Sequence, residues 1–158
     1  MSDGRRPLLG SVLDRLLDPG PEREASRRES LAALRASVRR DLEALLNTRR
    51  RCLDWPADAA ELNTSLLAFG VPDFTGTDLA TVAAQDAYCR MIERTIRRFE
   101  PRLLSVEVAR VANADPLDPT LRFRISALMH AEPAPEPLVL DSSLDPATRS
   151  LFVRGSDD

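Results

Sequence analysis

Apolar residues recur every three or four positions in two stretches of the chain, which is the spacing of one face of an α-helix. The first helix is predicted to begin near Ser30, whose side chain can cap it, and to run to about Asn47. The second is predicted over about 78–99, with a cap at Thr77 or Asp78. Their apolar faces comprise Leu31, Leu34, Val38, Leu42 and Leu45 in the first helix, and Leu79, Val82, Ala83, Cys89, Ile92, Ile96 and Phe99 in the second.

A shorter stripe of the same kind precedes these helices. Between Pro7 and Leu17 six aliphatic residues fall on one side of a helix, and residues 18–21 (Asp-Pro-Gly-Pro) end it. A helix this short is unstable alone, so it is predicted to dock on a partner or on the main body of the protein. We expect residues 1–24 to form a docking arm and residues 25–158 a single domain.

The segment between the two long helices is predicted to be an irregular loop. It contains a short apolar stretch over 62–69 that Gly70 closes, followed by a turn over 71–76. Its aromatic residues, Phe69 and Phe74, are predicted to be buried as anchors for the loop.

Beyond Pro101 the apolar period changes from 3.6 to 2, which is typical of half-buried strands. Strands are predicted at 103–111, 121–129, 138–140 and 150–154, with a long hairpin loop over 113–119 between the first two. The inward residues are expected to be Leu104, Val106, Val108 and Val111 in the first strand, and Leu121, Phe123, Ile125, Ala127 and Met129 in the second. Helices followed by antiparallel strands indicate an α+β fold, with the N-terminal helices packed on a small antiparallel sheet.

Composition narrows the class of protein. The 158 residues are 43% hydrophobic and 30% charged, the net charge is −3, and no apolar run is long enough to cross a membrane. The N-terminus lacks the apolar core of a signal peptide, so we expect a cytoplasmic protein. Charge alternates in blocks, net +4 over 1–51, −6 over 52–89, +3 over 90–110 and −4 over 111–158. Patches of both signs suit contacts with protein partners, although they are also typical of ordinary solvated faces.

The sequence shows no recognisable pattern of catalytic, phosphate-binding or metal-binding residues. The six glycines form no phosphate-binding motif, and the only histidine, His130, is expected to be structural or exposed. Cys52 and Cys89 lack the spacing of metal ligands and are predicted to be buried free thiols. We therefore expect no catalytic residues, cofactor, metal or enzymatic activity.

The most informative local feature is Glu100-Pro101-Arg102. A glutamate at a helix C-terminus opposes the helix dipole, so another interaction should compensate it. Because residues around a proline are extended, Glu100 and Arg102 should project to the same side and offer a carboxylate beside a guanidinium. We interpret the pair as a recognition element for a partner; the alternative is a helix stop with a solvated ion pair.

Three segments in order resemble one family. They are residues 45–50 (Leu-Leu-Asn-Thr-Arg-Arg), residues 65–76 (Ser-Leu-Leu-Ala-Phe-Gly-Val-Pro-Asp-Phe-Thr-Gly) and residues 100–103 (Glu-Pro-Arg-Leu). Together with Leu-Asp-Arg-Leu at 13–16, they resemble TssE, the baseplate wedge subunit of bacterial type VI secretion systems, which is similar to a wedge protein of contractile-tailed phages. The resemblance covers about residues 8–153.

The resemblance implies a structural subunit of a cytoplasmic baseplate docked at the inner membrane complex. It would join the baseplate proteins TssF, TssG and TssK and act as a platform on which the sheath proteins TssB and TssC polymerise, with no nucleic-acid partner and no insertion into the membrane. The partner-binding role of the family's motif would fall here on Glu100, Pro101 and Arg102. The strands would resemble the interlocking domain of sheath subunits, and a free sheet edge can accept a strand from a neighbour.

Two other functions are the alternatives to this one. An older description of the family as lysozyme-like suggests a peptidoglycan hydrolase, although no acid and nucleophile in fixed geometry can be identified from the sequence. An arginine-rich helix face could instead bind nucleic acid. That face would comprise Arg35, Arg39, Arg40 and Arg49–Arg51.

Overall fold

The computed structural model describes residues 27–50, 55–56, 58–72, 79, 81–115, 117–148 and 150–155, together with Leu16. Within these ranges two long helices precede four strands, so the predicted α+β class is confirmed. The predicted docking arm lies outside the described residues except for Leu16, which is helical and exposed. The elements in chain order are α1 (Arg27–Asn47), two short 3₁₀ helices (Ala60–Thr64 and Leu66–Ala68), α2 (Val82–Phe99), β1 (Leu103–Val111), β2 (Leu121–Met129), β3 (Glu136–Leu144) and β4 (Leu151–Gly155).

The strands form one antiparallel sheet in the order β1-β2-β3-β4. Each strand pairs with its sequence neighbour, so short connections suffice. Ile125 of β2 marks the middle of the sheet, opposite Val108 of β1 and Leu140 of β3. These three residues are buried because they share the sheet face that the helices cover.

The two helices lie side by side on that face and run in opposite directions. Asn47 at the end of α1 reaches Leu151 at the start of β4. Near its start α2 places Asp86 beside Arg110 of β1, and its last turn leads directly into β1. Each helix therefore lies along one edge strand of the sheet. A single core between the two layers comprises Leu34, Val38, Leu42, Leu45, Leu46, Tyr88, Cys89, Ile92, Ile96, Val106, Phe123, Ile125, Met129, Leu140, Leu144, Leu151 and Val153, among others.

Both helix starts differ from the prediction. Helix α1 already includes Arg27, upstream of the start predicted near Ser30. Helix α2 begins at Val82 rather than near 78, with the Thr81 hydroxyl accepting a hydrogen bond from the Ala84 amide. Val82 therefore lies in the first turn and is 56% exposed, instead of facing the core.

The bounds of β1, β2 and β4 are close to those predicted, whereas β3 is longer and two residues of β1 do not face inward as expected. The register shifts between Leu103 and Ser105, so Leu103 is buried and Leu104 is 54% exposed. Val111 is out of step with Val106 and Val108 and is also exposed. Strand β3 is nine residues long because pairing on both sides extends it through polar residues that no apolar pattern marks, Asp141, Ser142 and Ser143.

The segment between the helices is anchored to the end of α1. The Arg50 backbone amide donates to the Val71 carbonyl at 2.8 Å, and the Val71 backbone amide donates to the Thr48 carbonyl at 2.9 Å. Gly70 between them has φ +105°, and a Cβ there would lie 2.4 Å from the Thr48 oxygen, so only glycine fits this approach. Phe69 is half-buried against Phe99, with ring centroids 5.4 Å apart, which confirms one aromatic anchor; Phe74 lies outside the described residues.

Candidate partner-binding corner

The Glu100-Pro101-Arg102 motif forms the corner between α2 and β1. The Glu100 amide donates to the Ile96 carbonyl and so closes the helix. Pro101 is exposed at the turn, and the Leu103 amide donates back to the Glu100 carbonyl at 3.2 Å. The proline ends the helix because it lacks the N–H that a further turn would use.

Glu100 and Arg102 project to the same side, as the sequence predicts. The Arg102 Nε and Nη2 atoms donate to the two oxygens of the Glu100 carboxylate at 2.7 and 2.5 Å. The Arg102 amide also donates to Glu100 Oε1, at 3.2 Å. A bidentate pair of this kind compensates a carboxylate at the negative end of a helix.

The pair continues into α1, which sequence reasoning missed. Arg102 Nη2 donates to Asp41 Oδ2 at 2.6 Å, and Arg102 Nη1 donates to Ser37 Oγ at 3.2 Å. Ser37 and Asp41 are four residues apart and therefore lie on the same side of the helix. In the sequence, Ser37 and Asp41 are recognisable only as a polar pair beside the apolar stripe of α1. Their contact with Arg102 could not be inferred from this pair, because Arg102 lies 61 residues after Asp41.

Burial differs sharply between the members of this network. The Glu100 side chain is only 6% exposed, whereas Arg102 and Asp41 are 25% and 30% exposed. Hydrogen bonding to Glu100, foremost, and to Asp41 raises the pKa of the Arg102 guanidinium above its ordinary value, against the opposing effect of desolvation. Arg102 is thus held as a cation that joins both helices to the first strand.

This arrangement changes what the motif can offer to a partner. Glu100 is enclosed in its own fold, while Pro101 and the accessible parts of Arg102 and Asp41 form the outer surface of the corner. The expected carboxylate and guanidinium are therefore joined to each other. A partner would contact their outer side rather than insert between them.

The sequence also drew attention to His130, Cys52 and Cys89. His130 is exposed, and its backbone amide donates to the Arg102 carbonyl at 2.8 Å. Cys89 is a buried free thiol, as predicted, whereas Cys52 lies outside the described residues. Burial, and secondarily the charge of Asp86, raises the pKa of the Cys89 thiol, which disfavours the reactive thiolate.

The arginines of α1 face the sheet in part. Arg35 donates to the Pro137 carbonyl at 3.5 Å, Arg39 donates to the Val153 carbonyl at 3.4 Å, and Arg40 lies 3.8 Å from Asp41. Arginines in contact with the protein's own carbonyls and carboxylate do not form the unobstructed basic track that a phosphate backbone needs.

Within the described part of the chain, no group of three His, Cys, Asp or Glu side chains is arranged to hold a metal ion. Across the same residues, no helix combines the length and the apolar character that a membrane span requires.

Comparison with known proteins gives one family. A search of curated proteins finds no match to the chain. The sequence model of the family described as baseplate wedge protein gp25 matches residues 32–134. This range extends from α1 to the connection after β2 and includes the whole corner. The chain therefore belongs to the gp25 family of baseplate wedge proteins.

Proposed function

We propose that this chain is a TssE-type subunit of a type VI secretion baseplate. In this role it joins TssF, TssG and TssK in the wedge and provides the platform on which TssB and TssC begin to form the contractile sheath. It acts in the cytoplasm, in a baseplate docked at the inner membrane complex. It works as a non-enzymatic structural part and binds neither a cofactor nor nucleic acid.

The observation that carries this proposal is the family match across the corner, combined with the hydrogen-bond network that joins its elements. The matched range includes both helices and the Glu100-Pro101-Arg102 turn. A structural subunit must present a surface of fixed shape, and Arg102 fixes the corner by joining α1, α2 and β1. The Glu-Pro-Arg, Leu-Leu-Asn-Thr-Arg-Arg and Phe-Gly-Val-Pro-Asp segments favour TssE over a phage wedge protein.

Sheath assembly in cells tests the function. We expect deletion of the gene to abolish the extended structures that fluorescent TssB forms, and the intact chain supplied in trans to restore them. Normal sheath formation in the deletion strain would contradict the proposal. Clearing of purified cell walls by the isolated protein would contradict its non-enzymatic character and favour a hydrolase.

The partner-binding role of the corner needs a control for stability, because Glu100 and Arg102 also support the fold. We expect Arg102→Ala to weaken co-purification with TssF and TssG by about tenfold or more. The matched variant Ser37→Ala weakens the α1 side of the same network at a buried position while keeping the motif and the outer surface intact. Equal losses in the two variants, at a temperature where both are folded, would show that the corner acts only through folding.

A further inference from the structure

Three arginines follow one another along the outer face of α2, and we call them the arginine row (Arg90, Arg94 and Arg98). They are four residues apart, so they lie on successive turns of the helix. All three are exposed, and none forms a hydrogen bond or an ion pair within the described part of the chain. Like charges at this spacing destabilise a helix, and only Arg98 lies in the last turn, where the helix dipole favours a cation. The stability of α2 therefore does not explain the row.

The acidic residues of α2 are paired elsewhere. Asp86 lies 3.3 Å from Arg110 of β1, and Glu93 pairs with Arg97 at 2.9 Å. Both carboxylates also lie on the side of the helix that faces β1, where Glu93 accepts from a backbone amide of that strand. The outer face of α2 thus presents three guanidinium groups to carboxylates from another molecule.

Two exposed leucines lie beside the last turns of α2, and we call them the leucine pair (Leu66 and Leu67). Their side chains are 89% and 48% exposed. The Phe69 amide donates to the Leu66 carbonyl at 3.2 Å, and the Phe69 ring packs against Phe99. Because Phe99 directly follows Arg98 in α2, the leucine pair lies near the end of the arginine row.

The turn that carries the leucine pair has a fixed shape. The Ser65 hydroxyl donates to the Leu62 carbonyl at 2.8 Å and accepts from the Leu67 amide at 3.3 Å. Beyond the turn, Gly70 and the backbone bonds of Val71 attach the segment to the end of α1. Because the backbone is already held, little conformational freedom is lost when the leucines are covered, which favours binding.

We propose that the arginine row and the leucine pair together bind an amphipathic α-helix of a partner protein. Along that helix Asp or Glu recurs at every fourth position and contacts the arginine row, while large apolar side chains on the adjoining face cover the leucine pair. The site comprises other residues than the Glu100-Pro101-Arg102 corner and does not depend on the proposed function.

Spacing and charge favour this occupant. Four residues of a helix span about 6 Å, so carboxylates at every fourth position of the partner repeat at the same distance as the arginines. Residues 7–17 of this chain also carry an apolar stripe, but Asp14 is their only acidic residue, so they do not supply a row of carboxylates. The net charge of −3, and of −6 over residues 52–89, disfavours a nucleic acid.

Binding of designed peptides to the full wild-type chain tests the site. The probe is a helical peptide with Glu at every fourth position and Leu on the adjoining face, and the control is a helical peptide of the same composition with Glu spread around the helix. We expect the probe to bind about tenfold more tightly or better, and to shift the amide NMR signals of Arg94 and Leu67. Equal affinity of the two peptides, or shifts confined to other surfaces, would overturn the proposal.

Charge reversal within the arginine row separates binding from folding. Arg94→Glu places a carboxylate one turn from both Arg90 and Arg98, so we expect a higher Tm together with probe binding weakened by about tenfold or more. Arg154→Glu is the matched control, because it makes the same charge change at an exposed position of β4. Equal losses of binding in the two variants would show that only net charge matters and would overturn the proposal.

Shortening one leucine tests the apolar part of the site. We expect Leu66→Ala to weaken probe binding about tenfold, because the leucine side chain no longer becomes buried. Leu117→Ala is the matched control, since Leu117 is also 89% exposed but lies in the connection between β1 and β2. An equal effect of both variants, or none of Leu66→Ala, would contradict the role of the leucine pair.

Two other occupants give results of their own. Light scattering that shows a dimer of the free wild-type protein, lost in Leu66→Ala, would assign the surface to a second copy of this chain. Tighter binding of duplex DNA than of the probe, lost in Arg94→Glu, would assign it to a nucleic acid. Either result would overturn the proposal, whereas a monomer that prefers the probe supports it.

Discussion

Arg102 joins the two helices at the start of the first strand. It donates to the carboxylates of Glu100 and Asp41 and to the Ser37 hydroxyl, while its own carbonyl accepts from the His130 amide. The guanidinium suits this position because its planar fork satisfies several acceptors at once.

Loss of this side chain should be costly to stability. We expect Arg102→Ala to lower the free energy of unfolding by about 2 kcal/mol, because the nearly buried Glu100 carboxylate loses its compensating charge. Arg102 is partly exposed, which places the effect below that of a fully buried pair. Urea denaturation measures the change, and the exposed Arg98→Ala serves as the control, with an effect within about 0.5 kcal/mol. An equally small effect for Arg102→Ala would contradict the structural role.

At the residue scale, side-chain contacts between residues close in sequence could be predicted, whereas contacts between residues far apart in sequence could not. Glu100 and Arg102 lie on one side, as predicted, but a turn at Pro101 and Arg102 brings them together rather than the extended geometry that was expected. Asp41 and Ser37 could not be assigned to them, because helix packing rather than sequence proximity brings α1 to the corner.

Cys89 predicts a dependence of stability on alkaline pH. Burial raises the pKa of its thiol above the ordinary value of 9.0, so the unfolded chain loses this proton at lower pH than the folded protein does. The free energy of unfolding should therefore fall as the pH rises above about 9. Tyr88 adds to the fall from its ordinary value of 10.0 upward, because burial raises its pKa too.

Urea denaturation at several pH values checks this expectation. We expect Cys89→Ala to reduce the fall in stability between pH 9 and 10, although the smaller side chain lowers stability at every pH. Identical pH dependence in the variant and the wild type would show that this thiol does not contribute.

At the scale of elements, α1 contacts β4 through its apolar face and through two polar side chains, Arg39 and Asn47. Asn47 contacts both backbone groups of Leu151, a pattern equivalent to one residue pair of a sheet. The apolar stripe of α1 correctly predicted its buried face, whereas this polar attachment carried no sequence signal.

Asn47→Ala should loosen this attachment. We expect a loss of about 1–2 kcal/mol in the free energy of unfolding, because two hydrogen bonds to the β4 edge disappear. Hydrogen exchange of the Leu151 amide should accelerate in the alanine variant. Asn47→Asp is the matched control, since it keeps the acceptor for that amide. Similar acceleration in both variants would contradict the role assigned to the side-chain oxygen.

Elements with strong periodicity were predicted most accurately. Strand β2 alternates cleanly and its bounds agree with the prediction. The inward register of β1 was wrong at Leu104 because the shift after Leu103 offsets the alternation, and β3 was predicted too short because serines and an aspartate continue it. The register of β1 and the length of β3 are set by pairing with neighbouring strands, which outweighs the strand preference of the individual residues.

At the scale of the whole molecule, the fold places two helices on one sheet face and forms a hydrogen-bonded corner where α2 meets β1. The order of helices and strands predicted this architecture. The contacts of helix side chains with the two edge strands were not predictable, because they depend on the placement of Asn47, Glu93 and Arg97 beside particular backbone groups. Membership in the gp25 family of baseplate wedge proteins agrees with a structural role.

The central claim is that this chain acts by joining a wedge complex. Its most direct test is size-exclusion chromatography with light scattering on the wild-type protein co-expressed with TssF and TssG of the same system. The account predicts that all three proteins elute together as one complex whose mass exceeds that of TssF and TssG alone. Elution of this chain by itself, with TssF and TssG associated without it, would contradict the account.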